Sequence, residues 1–188
     1  MVKVKLLPHE LVWCKNHATK IVEHYTKRFG DKGSGSYNHN KLSSNLVGVK
    51  SEVATQVWLI RNHFSREDIQ CNYEDFTNKK LIGDINLHGR SLEIKGLRPH
   101  QWDKFKRCVP PRQLEHYVKD NAVVIWTTAE GDDKDKNVHL KGWNYAHEIK
   151  EKGVFLLVTV SPSTSNIVLG FQNFFCLFKI ILFIYLIY

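Results

Sequence analysis

No C-x-x-C pair occurs in this chain, and its four cysteines, Cys14, Cys71, Cys108 and Cys176, lie far apart. Paired-cysteine zinc clusters are therefore excluded. Cys14-x-x-His17 with His24 falls short of a structural zinc set, which needs a fourth ligand and usually a second tight pair. No secretory leader precedes the cysteines, so a reducing interior such as the cytoplasm is the expected location. Acid is scarce as well. Lys and Arg outnumber Asp and Glu by 27 to 19, a formal charge of +8, and that balance favours a polyanionic partner such as nucleic acid. The deficit is sharpest early, where Lys3, Lys5, Lys15, Lys20, Lys27, Arg28, Lys32, Lys41 and Lys50 meet only Glu10, Glu23 and Asp31. The glycine-rich run from Gly30 lacks a preceding strand and a following G-K-[ST], so it is not a phosphate-cradling P-loop. None of the ten histidines forms an H-N-H or H-x-H group.

At 188 residues the chain has material for one core and hardly for two. Residues 8–29 carry Leu11, Cys14, Ala18, Ile21, Val22, Tyr25 and Phe29 at helical spacing, with basic residues outside. Residues 30–40 have no apolar period and read as a loop that can drape over a nucleic-acid backbone. A second helix is predicted from about Gly48 to Phe64. Strands are predicted at 71–76, in a hairpin over 81–96, and at 122–127, 138–142 and 154–160. Helices are predicted after Pro110-Pro111 and over 145–152. The order implies one α/β domain, a mixed sheet with helices packed on it. Residues 1–44 supply its first helix and basic loop, 45–160 its core, and 161–188 a linker and tail. The tail from Phe171 to Tyr188 is membrane-like in apolar density. Its roughly 18 residues fall just short of the about 20 that span a bilayer, and Lys179 interrupts them. A membrane anchor, a segment buried against the domain, and a tail foreign to it all remain open readings.

Chemistry concentrates in one hairpin. With His88-Gly89 as a two-residue loop, Leu87 faces Arg90, and counting back sets Asp84 opposite Glu93. Alternation then puts Ile85, Leu87, Leu92 and Ile94 on a core face and Asp84, Asn86, Ser91, Glu93 and Lys95 on the other. Carboxylates directly opposite one another repel, and a cation between them resolves the conflict. The Glu148-x-Lys150 and Asp132-x-Lys134 patterns lack this setting, one lying on a charged helix and the other in a turn. Beyond the hairpin, Arg98, His100, Trp102, Lys104, Lys106, Arg107 and Arg112 mix base and aromatic as phosphate and base contacts require.

Asp84, Glu93-x-Lys95, a preceding Gly48-x-Lys50-x-Glu52 helix and a following Gln113-x-x-x-Tyr117 helix together resemble the PD-(D/E)XK nuclease superfamily, over roughly residues 45–160. The resemblance implies a restriction-endonuclease-like fold with the acidic hairpin at the heart of its sheet and the Glu52 helix beside it. It implies DNA as partner and Mg2+ as cofactor, with Mn2+ as a substitute, held by Asp84, Glu93 and Glu52 and the Ile94 carbonyl. Lys95 would orient or deprotonate the attacking water and offset charge on the phosphate. Gln113 would fix the phosphate or the lysine, while Lys50, Arg98, Lys104, Lys106, Arg107, Arg112 and Tyr117 would contact nucleic acid. Gly83 stands where the family name has proline. The motifs mix branches, so endonuclease, exonuclease and junction resolvase are not separated, and a homodimer is a further expectation. The alternatives are a non-catalytic nucleic-acid-binding protein on the same fold and a membrane-attached protein whose tail is functional.

Overall fold

The apolar period of residues 8–29 forms helix α1 (Pro8–Phe29), and burial of Leu11, Cys14 and Ala18 seats it on the domain. Proline at the first helical position and the Glu10 carboxylate, which accepts the Leu7 N–H at 2.6 Å, start it. The computed structural model describes residues 1–29, 41–77, 83–161 and 164–171, with side chains through residue 153. The glycine- and serine-rich run 30–40 and the apolar tail after Phe171 lie outside the described residues. Among the described residues no helix is long and apolar enough to cross a membrane.

Helix α2 (Leu42–Arg61) begins six residues earlier than the predicted Gly48. Ser43, Ser44 and Asn45 are weak helix formers, but Leu46 and Val47 behind them are buried and Asn45 Nδ2 donates to the Lys41 carbonyl at 3.1 Å. Packing overrides propensity there. The strand expected at 71–76 shortens to β2 (Ile69–Cys71), followed by a 3-10 turn (Asn72–Glu74). Strands β3 (Ile85–Leu87) and β4 (Arg90–Leu97) form the predicted hairpin, with Leu87 opposite Arg90, Asn86 opposite Ser91 and Ile85 opposite Leu92. His88 at φ 49° and Gly89 at φ 78° supply the two positive φ values of a type I′ loop. Asn86 Oδ1 accepts the Gly89 N–H at 2.8 Å.

The chain continues through α3 (Pro99–Phe105), β5 (Arg107–Val109), α4 (Pro111–Lys119), β6 (Val123–Ala129), β7 (Asn137–Tyr145), α5 (Ala146–Lys152), β8 (Val154–Ser161) and β9 (Thr164–Phe171). With β1 (Val2–Lys5) these make a six-stranded sheet in the order β1-β7-β6-β4-β3-β2 and a three-stranded sheet β5-β9-β8. Residues 164–171, assigned to the linker from sequence, thus pair as a strand. The larger sheet is mixed: β4 and β6 run parallel, and the other neighbours are antiparallel. Helices α1 and α2 cover one face over Ile85, Leu92, Ile94 and Ile125. Helices α4 and α5 cover the other over Val124 and Trp126. The protein is therefore an α/β domain with a mixed sheet flanked by helices, and β4 lies inside that sheet.

Candidate active site

Strand β3 begins at Ile85, and the site is built just ahead of it. Before that residue the chain turns through Gly83, at φ 79°, so Asp84 does not extend the ladder to a regular pair with Glu93. Asp84 is pinned instead by its backbone. Its N–H donates to the Leu92 carbonyl at 2.9 Å, and its own carbonyl accepts the N–H groups of Asn72 and Tyr73 at 2.9 and 3.0 Å. Its Oδ2 then accepts the Ile94 N–H at 2.6 Å. A carboxylate thus stands where a further β3 residue would have bonded to β4.

Glu93 and Lys95 project from β4 on the face opposite Ile94, beside Val124 and Trp126. Helix α4 covers that face: the side chains of Glu93 and Lys95 are only 12% and 23% exposed. Lys95 Nζ donates to Glu93 Oε1 at 2.6 Å, to the Tyr117 hydroxyl at 2.8 Å and to Gln113 Oε1 at 3.2 Å. The Tyr117 hydroxyl donates to Glu93 Oε1 at 2.7 Å. Gln113 and Tyr117, one turn apart on α4, therefore both act on the lysine–carboxylate pair. Burial pulls the Lys95 ammonium down, but Glu93, Tyr117 and Asp84 outweigh it and the net shift is upward. Lys95 is accordingly a fixed cation, suited to balancing negative charge and not to removing a proton.

Glu52 arrives from α2, on the other side of the sheet. Close approach of that helix depends on Gly96, where a Cβ would fall 2.5 Å from Ser51 Oγ and 3.1 Å from the Val47 carbonyl. Ser51 Oγ is itself fixed, donating to Val47 O at 2.7 Å and accepting from Thr127 Oγ1 at 2.7 Å. Burial first, then Asp84 and Glu93, push the Glu52 carboxyl well above its usual range, with Lys95 opposing. Burial and Glu93 raise Asp84 to about 8, with Lys95 and the Ile94 N–H opposing. Glu52 and Asp84 open onto a cleft of about 210 Å³ walled by Tyr25, Tyr73 and Phe76.

These carboxylates supply hard oxygen donors in a place that disfavours their own charge, which is the donor chemistry of a divalent cation site. Among the described residues, no group of three or more His, Cys, Asp or Glu side chains is spaced to hold a metal ion. Glu93 Oε1 is occupied by Lys95 and Tyr117, so it would have to share or yield that oxygen on binding an ion.

The remaining sequence-predicted residues divide. Lys50 is fully buried, and its Nζ donates to the carbonyls of Glu130, Asp132 and Asp135 at 2.9, 3.1 and 2.6 Å. Its expected nucleic-acid contact is corrected to a structural one: the lysine ties α2 to the β6–β7 turn. Arg107 is 3% exposed at the start of β5, so burial removes it from the surface contacts as well. Tyr117, 7% exposed, serves the site and not the outer surface. Arg98 is half-buried, with Nη2 donating to Ser43 Oγ at 2.7 Å. Lys104, Lys106 and Arg112 are exposed and available to a phosphate backbone. Gly96, Ser51 and Thr127 were missed, and the small residue at 96 at the end of an apolar strand was the only available signal. Comparison with family models, with curated proteins and with solved structures finds no match for this chain.

Proposed function

We propose that this protein is a metal-dependent deoxyribonuclease of the PD-(D/E)XK kind, hydrolysing DNA phosphodiester bonds on a restriction-endonuclease-like fold. The observation that carries the reading is the convergence of Asp84, Glu93 and Lys95 with Gln113 and Tyr117, while the field of the same carboxylates reaches Glu52 on the opposite helix. These groups come from both sides of the sheet and from four segments of chain. A half-exposed charged hairpin has no reason to gather them. The acidic hairpin inside a mixed sheet, with the Glu52 helix against it, also supports the fold assignment.

Asp84, Glu52 and Glu93 would hold Mg2+, or Mn2+ in its place. Such an ion polarises a phosphoryl oxygen and lowers the pKa of a bound water. Lys95, held charged by Glu93, offsets the negative charge that grows on the phosphate. Tyr117 and Gln113 fix the ammonium, limiting its motion to the reach of one phosphate. Lys104, Lys106 and Arg112 supply screened, sequence-independent contacts to the backbone. So does the exposed edge formed by Lys3 and Lys5 of β1, where Lys3 lies opposite His139.

One observation favours a second reading, a non-catalytic nucleic-acid-binding protein on the same fold. Lys95, Glu93 and Tyr117 hydrogen-bond one another, so Glu93 Oε1 already has two protein partners. Labelled single-stranded, duplex and four-way-junction DNA, incubated with the full chain in Mg2+ or EDTA beside Lys95→Ala, separates the two. Cleavage that needs both Mg2+ and Lys95 is expected. Binding without cleavage on every substrate, with Mn2+ included, would establish the non-catalytic reading.

A further inference from the structure

A second cleft lies on the far side of Tyr73 from the carboxylates. On α2, Glu52 faces the site, and Gln56 and Ile60 follow at successive four-residue steps on the same side of the helix. These two residues line that second cleft of about 310 Å³, whose opposite wall is Trp13 of α1. On α1 the matching ridge runs from Trp13 through His17 and Ile21 to Tyr25, and its last two members line the carboxylate cleft. The two clefts thus follow one another along α1 and α2, with Tyr73 between them. Tyr73 forms a wall of both, its hydroxyl donating to Gln56 Oε1 at 2.8 Å. From Glu52 to Ile60 the helix rises about 12 Å.

The second cleft is built for a flat, uncharged group. Trp13 is 38% exposed although it is a large aromatic, and two rings pack against it. It stacks on His17 with ring centroids 4.6 Å apart and planes 10° from parallel, and meets Tyr73 edge-on at 6.1 Å. His17 is anchored in turn, its Nε2 within 3.1 Å of the Tyr73 carbonyl. Val53, Val57 and Ile60 make the apolar floor. Glu10, Glu74 and Arg66 stand on its lining as well, and the two carboxylates disfavour a phosphate inside it.

We infer that this cleft binds one unpaired nucleobase of a single-stranded polynucleotide, stacked in the Trp13–His17 column, while the adjoining phosphate lies at the carboxylate cleft. The inference rests on the nuclease reading and narrows it. A base that enters the cleft is not in a duplex stack, so the preferred substrate is single-stranded DNA or a splayed end. Stacking of this kind is sequence-tolerant, because every base has a π face.

The test measures binding of the full chain, in EDTA, to three labelled probes: a short single-stranded deoxyoligonucleotide, the same backbone made abasic, and the corresponding duplex. The wild type is expected to bind the base-bearing single strand most tightly. Trp13→Ala should lose roughly 5- to 100-fold on that probe and little on the abasic one, with Trp13→Phe recovering most of the loss. The abasic probe leaves the protein unchanged, so a folding defect in Trp13→Ala cannot produce the preference of the wild type. Equal binding of the base-bearing and abasic strands, or tighter binding of the duplex, overturns the inference. Adding Mg2+ to the same samples separates the two proposals. Lys95-dependent cleavage without a base preference removes the base site alone. A Trp13-dependent base preference without cleavage retains the base site and removes the nuclease.

Discussion

Replacing Gly96 by alanine tests how the two sides of the sheet are brought together. The added Cβ would lie 2.5 Å from Ser51 Oγ, 3.1 Å from the Val47 carbonyl and 3.2 Å from Ser51 Cβ. Rotating the serine hydroxyl away relieves only the first contact, and it breaks two buried hydrogen bonds, to Val47 and from Thr127. Each is worth about 1 kcal/mol, and the backbone contact remains, so the overpacked variant should lose about 2–3 kcal/mol. Ser51→Ala alone removes the same two bonds and should cost about 1–2 kcal/mol. In the double variant the shortest contact is absent. Its loss should fall below the sum of the singles by about 1–2 kcal/mol. Urea denaturation with linear extrapolation measures all four proteins. Because α2 carries Glu52, the proposed nuclease activity predicts that any movement of the helix off β4 lowers Mg2+-dependent cleavage in Gly96→Ala more than in Ser51→Ala. Strictly additive stabilities, or a Gly96→Ala protein as stable as wild type, would refute the claim that this glycine sets the helix–strand distance.

Lys50→Met should destabilise by about 2–4 kcal/mol in urea, since three carbonyls lose a charged donor; reduced DNA affinity with unchanged stability would instead restore Lys50 to the phosphate contacts. Asp84 makes the metal-free protein pH-sensitive. Its pKa rises from about 4 in the unfolded chain to about 8 in the folded one, so the folded state binds more protons between those values and stability falls as pH rises through that window. Thermal melts should show this decline, a shallower one in Asp84→Asn, and recovery of the lost stability on adding Mg2+ at pH 8; a flat wild-type profile would remove the buried carboxyl from the account. Tyr117→Phe deletes the hydroxyl shared by Lys95, Glu93 and Gln113, and should cost about 1 kcal/mol of stability and about tenfold in cleavage with little change in KM; an unchanged rate would make the tyrosine purely structural. Lys104→Ala, Lys106→Ala and Arg112→Ala should each reduce the slope of log affinity against log salt by about 1, whereas Arg107→Ala should act on stability, and equal salt effects from all four would contradict the burial of Arg107.

Much of the site's local geometry was legible in the chain. The His88-Gly89 loop and the alternation around it set the hairpin register, because a one-residue slip of β3 would have moved Ile85 and Leu87 off the core face that Leu92 and Ile94 share. The four-residue spacing of Gln113 and Tyr117 likewise sufficed to put both on one helix face. The first turns of α2 were not legible, because their serines and asparagine speak against a helix until Leu46 and Val47 are buried. Nor were β1, α3 and β5, which are short pieces with no period of their own.

The sequence by itself determined which residues carry charge and on which side of their own strand or helix they stand, since those follow from local backbone periods. Only the tertiary structure decided which side chains meet. It took Lys50 and Arg107 from the surface into the interior, covered Glu93 and Lys95 with Tyr117, and turned Asp84 out of its ladder to bond the Ile94 N–H. It also brought α2 close enough through Gly96 for Glu52 to share a cleft with Asp84 and to feel Glu93, presented from the other side of the sheet. Burial and electrostatic coupling depend on segments far apart in the chain, and no local pattern encodes how closely those segments pack.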